Sequence, residues 1–424
     1  MCSPVTRVRA LFGIVVILGC CAPAKALAQG IYIPVAGPVN RSMGGATTAV
    51  PLDATGSLYW NPAVISGLPS SELGFGADLL TAAGQLASSS GPSAGVTDSK
   101  QGWTFFPNVG WTHRGANSKL TFGLGMHSLA GFKTNYASSF TNPILTPQPN
   151  GVGRLYSEAQ FAQISPVVSY QLTERLAVAV GPMVTLGTLL ADPLLFIAPN
   201  PNGYPTGRGT ALKFGGGVQG GLFYRGAGSW DFGASLKSPQ WMPNFEYTTE
   251  DATGGPRFDE FGADLPMIFS AGAAYRGFKN VVWSLDYRYF DFKNAEGFGD
   301  TGFTPEGALN GLGWRSINAL ITGVQYQIND TLTMRGGYGV NQSPIESATA
   351  GLNIASPLVQ TQVMHLGGSL GIHRQTALNV AYSYFPRNEV SGPIQTFLKG
   401  ALPGSSVTTS LSVHTFSMGV SVKY

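Results

Sequence analysis

Leu176–Ala198 reads LAVAVGPMVTLGTLLADPLLFIA and could pass for a membrane helix. Gly181-Pro182, Gly187 and Asp192-Pro193 interrupt it, and each of these breaks a helix. Its period decides the matter. Leu176, Val178, Val180, Val184 and Leu186 hold the even positions, while Ala177, Ala179, Gly181, Thr185 and Gly187 hold the odd ones. Large apolar groups on one face and small groups on the other, alternating every second residue, make a strand.

The alternation recurs. Val281, Trp283, Leu285 and Tyr287 oppose Ser284, Asp286 and Arg288; Leu378, Val380, Tyr382 and Tyr384 oppose Asn379, Ala381 and Ser383. A soluble sandwich alternates too, but its exposed face carries many charges. Only 11% of the 424 residues are Asp, Glu, Lys or Arg, against roughly 25% in an ordinary soluble domain. Low charge with 43% hydrophobic residues excludes a disordered chain. A formal charge of +3 without a basic cluster excludes nucleic acid as a partner. One face toward lipid and the other toward a polar lumen fits a membrane barrel.

Fourteen such segments are expected, at 72–84, 101–113, 118–130, 157–171, 176–190, 208–225, 229–238, 264–276, 279–292, 314–328, 331–342, 361–373, 376–388 and 408–424. The links between them alternate in length. Long ones (85–100, 131–156, 191–207, 239–263, 293–313, 343–360, 389–407) take turns with short ones such as Leu172–Arg175 and Arg374-Gln375. Short turns at one end, long loops at the other and an even strand count define an antiparallel transmembrane β-barrel of the outer-membrane kind.

The beginning of the sequence fits export. Arg7 and Arg9 precede an apolar run, Leu11–Leu18, and Ala26-Leu27-Ala28 offers a cleavage site. Residues 1–28 therefore read as a signal peptide cleaved near Ala28, with a lipobox-like Ile17–Cys20 as the competing reading. All three cysteines (Cys2, Cys20, Cys21) fall within that segment, so the mature chain is expected to lack disulfides and thiolate chemistry. Losing Arg7, Arg9 and Lys25 with it leaves a formally neutral chain. The expected division is 1–28 signal peptide, 29–70 an N-terminal hatch of short helices and turns inside the lumen, and 71–424 the barrel.

Residues 29–70 do not alternate. They hold Gly44-Gly45-Ala46, then Asp53, then Asn61-Pro62-Ala63. Glycine pairs allow close backbone packing, and Asn-Pro opens a turn or helix. With Arg41–Ala46, Asp53 and Ser57–Ala63 go Leu120–Tyr136, Pro166–Ala179 and the terminal strand ending on Tyr424. On these residues the chain resembles the long-chain fatty-acid and aromatic-hydrocarbon outer-membrane transporters of FadL/TodX type. The resemblance covers the mature chain in element order. It implies passive uptake of hydrophobic molecules by a monomer in the outer membrane of a Gram-negative-type bacterium, inserted by the barrel-assembly machinery through Tyr424. It also implies capture in an outer apolar groove, transfer to a pocket gated by the hatch, and sideways exit near Gly123–Ser128.

Mapped onto the loops, that groove would use Phe132, Tyr136 and Phe140, then Leu194 and Phe196, then Trp241 and Phe245. Apolar groups on loops are costly unless they pack together or bind something. Strand phase sends Lys213, Lys237, Arg288 and Arg335 into the lumen, where a cation could anchor a carboxylate or simply pair with Asp231 or Asp286. Neither a metal nor a cofactor is expected. Gly367–Gly371 fits G-x-S-x-G but lies within an alternating strand, not at a strand-to-helix elbow. A barrel lipase using Ser369 with His365 or His414, and an adhesin or structural barrel, are the alternative functions.

Overall fold

The computed structural model describes residues 29–207, 212–251 and 253–424. The leader and the first residues of the segment expected at 208–225 lie outside them. Fourteen strands form the wall: β1 Glu72–Ser90, β2 Trp103–His113, β3 Leu120–Tyr136, β4 Leu155–Gln171, β5 Leu176–Asp192, β6 Lys213–Arg225 and β7 Trp230–Lys237. The second half is β8 Ile268–Tyr275, β9 Val281–Phe290, β10 Ile317–Gln327, β11 Leu332–Asn341, β12 Gln362–His373, β13 Thr376–Gly392 and β14 Ser405–Lys423. Each pairs antiparallel with its neighbours, and β1 pairs with both β14 and β2, so the sheet closes on itself. Closure leaves no edge, as lipid demands.

The alternation seen in sequence becomes an inside and an outside. On β5, Val180 and Val184 are exposed on the lipid side, whereas Ala177, Ala179 and Met183 are buried. Several strands run past their expected ends. β1 continues to Ser90 and pairs residue by residue with β14 up to Ser405, and β3 continues to Tyr136. There the outward residues are no longer apolar, as at Ser89 of β1 and Lys133 and Asn135 of β3, so the periodic signal fades although the ladder persists. Phe132 and Tyr136 are thus strand residues rather than loop residues.

Inside the wall sit α1 Gly37–Ser42, α2 Ala54–Trp60 and a 3₁₀ turn over Pro62–Gly67. Pro38 and Pro62 lie in first turns, where the missing N–H costs nothing. The side chain of Asp53 caps α2 by accepting from Gly56 N at 3.3 Å. Every residue of both helices is buried. Inward-facing glycines of the wall make room for them. A Cβ on Gly110 would lie 2.6 Å from Thr55 N and Cα, and one on Gly233 would collide with Thr48 O. Gly110→Ala should therefore push α2 off the wall at a cost of about 1–3 kcal/mol. Limited proteolysis would show cleavage within 29–70 while heat-modifiable gel migration still reports a folded barrel; a resistant hatch would contradict this packing.

Candidate functional site

Buried charges fasten the hatch to the wall. Arg41 on α1 donates to Asp78 of β1 through Nε at 3.2 Å and Nη2 at 2.7 Å, and to Ser383 Oγ of β13 at 3.1 Å. Asn108 of β2 donates to the same carboxylate at 3.1 Å. On the opposite wall Asp286 accepts from Thr48 N at 3.0 Å and Thr48 Oγ1 at 2.7 Å, and pairs with Arg288 at 3.0 Å. Arg288 also donates to Gly45 O and lies 3.4 Å from the centre of the Trp60 ring. Gly44 and Gly45 hold φ of 70° and 88°, a conformation that suits glycine. Asn61 donates to Thr48 O at 2.8 Å and Leu222 O at 2.9 Å while its Oδ1 accepts from Ala63 N at 3.1 Å. Asn61, Pro62 and Ala63 thus join hatch to wall.

Above the hatch three cavities follow one another. The outer groove, about 480 Å³, is lined by Ile144, Val152, Leu195, Leu309, Ile354 and Phe397 among others, and Lys399 is its one charged lining residue among the described residues. Leu195 and Leu309 also line an inner chamber of about 70 Å³, together with Phe132, Phe161, Phe196, Phe261 and Phe298. No charged residue lines that chamber among the described residues. Ile31 is shared with a third cavity of about 100 Å³, which Phe106 of β2 and Gly131 of β3 border.

That third cavity adjoins a break in the wall. The β2–β3 ladder runs from His113–Phe122 up to Asn108–His127 and stops. β3 bulges between Ser128 and Ala130. The freed groups are taken by the segment before α1: Ile33 N donates to Leu129 O at 3.0 Å, and Gly131 N donates to Ile31 O at 3.1 Å. Above the bulge Lys100 N donates to Asn135 O at 2.8 Å, so the opening is bounded at both ends.

The residues expected in the groove disperse. Phe132 and Phe196 line the inner chamber. Leu194, Tyr136 and Phe245 are fully or almost fully buried packing residues, Phe245 against Phe161 at 6.3 Å. Phe140 is 88% exposed and lines none of these cavities. Trp241 pairs with outward-facing Gly216 and is itself exposed, which puts it on the lipid side at the loop end. Two loops that sequence reasoning passed over, 343–360 and 389–407, supply Ile354, Phe397 and Leu398 to the groove. Phe397 is the one aromatic residue in these two loops, so they gave no aromatic cluster to notice.

Of the lumen cations, Lys213 pairs with Glu246 of the 239–263 loop at 2.9 Å. Arg335 donates to Gln325 Oε1 and Ser369 Oγ, both at 2.7 Å. Asp231 pairs with Arg276 instead. Lys237 Nζ is buried with no hydrogen-bond partner among the described residues, 4.8 Å from the Tyr59 ring centre. His127, Gln163 and Gln219 nearby also carry buried polar atoms without partners, which marks a place for internal water. The weighed nucleophile Ser369 donates to Asn379 Oδ1. His414 faces outward beside Tyr382, and His365 bonds Ser383 Oγ at 2.7 Å. Neither histidine reaches Ser369.

Asp78→Ala would strand Arg41 without its anion and should cost about 3–5 kcal/mol, read as a lower urea midpoint for hatch release. Asp53 is pushed up to about 7 by its burial, with the Glu72 carboxylate adding to the shift. A proton held more tightly in the folded state than by an unfolded carboxyl, near pH 3.9, stabilises that state as pH falls. Hatch amide protection, corrected for intrinsic exchange, should therefore rise from about pH 8 to about pH 5, and Asp53→Asn should flatten the rise. An unchanged slope in the variant would refute the link.

Residues 221–424 match the family model described as outer membrane protein transport protein (OMPP1/FadL/TodX). No curated protein matches the sequence. Among solved structures, the chain is similar to the Pseudomonas putida toluene transporter TodX, with 16% identity, 92% of this chain and 99% of that one covered, and a TM-score of 0.70. A Pseudomonas aeruginosa FadL homologue gives 12% identity, 93% and 100% coverage and a TM-score of 0.70. The Ralstonia pickettii toluene transporter TbuX gives 18%, 92% and 99%, and 0.63. At such identities the structures establish the fold alone, and the family model adds a likeness to outer membrane transport proteins of FadL/TodX type over residues 221–424, just under half of the chain.

Proposed function

We propose that this protein carries hydrophobic molecules passively across the outer membrane, taking them from the outer groove into the inner chamber and releasing them sideways between β2 and β3. The observation that carries this reading is continuity. Leu195 and Leu309 are common to groove and chamber, and Ile31 is common to chamber and third cavity. An apolar molecule therefore meets largely apolar walls in groove and chamber, and a mixed lining that includes Arg41 and Gln360 in the third cavity. The alternative route, straight through the lumen, requires the hatch to leave a packed wall, the buried Arg41–Asp78 ion pair and the hydrogen bonds of Thr48, Gly45 and Asn61. Sideways release needs only the Gln29–Ile33 segment to give up its bonds to β3. The bulge that defines this exit lies just beyond the expected Gly123–Ser128. The apolar chamber takes the body of a hydrocarbon or of a fatty acid alike. Export by a signal peptide cleaved near Ala28, a monomeric state, and recognition of Tyr424 by the assembly machinery complete the reading. Neither the lipase nor the adhesin reading gains a specific observation.

Uptake of a labelled aromatic hydrocarbon and a labelled long-chain fatty acid by cells expressing the protein tests it. Phe196→Asp places a charge in the chamber and should reduce uptake at least about tenfold, the effect of roughly 1.4 kcal/mol. A disulfide between Tyr32→Cys and Ala130→Cys, which face each other across the hatch–β3 bridge, should block uptake until reductant is added. Unimpaired uptake in the oxidised double variant would rule out the sideways route.

A further inference from the structure

The mature chain sums to neutrality, yet its charges are sorted by end. At the short-turn end the exposed cations outside ion pairs are Lys119, Arg175, Arg225, Lys279, Arg374 and Lys423, while exposed Arg276 is paired with Asp231. They occupy every turn except that between β10 and β11, where Asp330 stands, and the last one closes β14. Exposed carboxylates there are few: Glu174 and Asp330, while Asp231 is consumed by Arg276 at 2.6 Å. None of the six cations forms an ion pair among the described residues. The loop end is the reverse: Glu246, Glu250, Asp251, Asp259 and Glu260 against Arg257 within 239–263.

The placement of the six says what they meet. Each lies within a few residues of an outward aromatic or apolar side chain at the same end of its strand. Trp230 packs on Tyr275 at 4.9 Å and Tyr275 on Phe278 at 5.1 Å, beside Lys279. Trp111 Nε1 donates to Tyr424 OH at 2.6 Å beside Lys423. Arg225 is the exception among the six, since it follows outward Tyr224 but donates to Gly67 O of the hatch at 3.1 Å. Such aromatics mark the headgroup level of a bilayer, and long basic side chains rooted there reach toward phosphate. The cations surround the rim instead of forming one patch. A single protein partner would need a patch; a shell of lipid needs a ring.

We propose that the turn end of the barrel is a binding collar for anionic phospholipid headgroups of the periplasmic leaflet. The test is annular selectivity of the full-length protein in mixed bilayers, measured by electron spin resonance with spin-labelled phosphatidylglycerol and phosphatidylcholine. Phosphatidylglycerol should be preferred about three- to fivefold at low salt, and the preference should fall toward parity at about 1 M salt, where the screening length is about 3 Å. The combined variant K119Q, R175Q, R374Q and K423Q should lose it. A loop-end variant, K100Q with K399Q, should keep it. Parity in the wild-type protein, a preference that survives high salt, or an equal loss in the loop-end variant would each overturn the proposal. The salt series needs no variant, so a misfolded quadruple substitution leaves the proposal testable.

Discussion

Within a bilayer no water is available to satisfy a stray backbone group, and each one left unpaired costs several kcal/mol. The rest of this molecule answers that constraint. The β1–β14 ladder holds register from Glu72–Lys423 to Ser90–Ser405 without a slip, and every other strand is paired on both sides. The ladder elsewhere is interrupted at a few points, such as Phe385–Asn388 of β13, and two of the lapses have a clear local cause. Between β4 and β5 the register on either side is the same, from Ile164–Val184 to Val168–Val180, but Pro166 and Pro182 stand opposite each other and neither can donate. Between β2 and β3 the lapse is longer, and the Ile31–Ile33 segment of the hatch supplies the missing partners from within.

That second substitution links architecture to transport. A wall strand paired to a neighbouring wall strand is held by the whole barrel. One paired to a short terminal segment is held only by that segment, so its stability is local. The hatch divides accordingly. Its helical part is fixed by the Arg41–Asp78 and Asp286–Thr48 contacts and by close packing against glycines, whereas its leading residues border two cavities and a few hydrogen bonds. The fixed part closes the lumen, and the part that can yield lies beside the opening.

Period-two alternation made the strands legible from sequence, because lipid on one side and a lumen on the other filter residues by size and polarity at each step. Loop-length alternation gave the topology for the same reason. The site was less legible. Phe132, on β3, and Phe196, in the loop after β5, both reach the chamber, while Phe140, of the same residue type, points to solvent. Nothing local separates them; only the packing of distant loops does. Trp241 looked like a loop aromatic, but its bridge to Gly216 extends the β7 edge and turns the side chain outward. The charge tally misled differently: a sum near zero hid two ends of opposite sign.

The ties of Arg41 bear on how such a barrel is assembled. Its guanidinium bridges Asp78, near the start of the wall, and Ser383, which lies 342 residues after Arg41 itself and next to the closing strand. Bringing such distant segments together is an entropic burden that grows with the intervening chain. A plug already seated on β1 presents a donor to the last strands as they arrive and shortens the search for their register. The arginine that ties plug to wall is thus placed to act as a template for the seam.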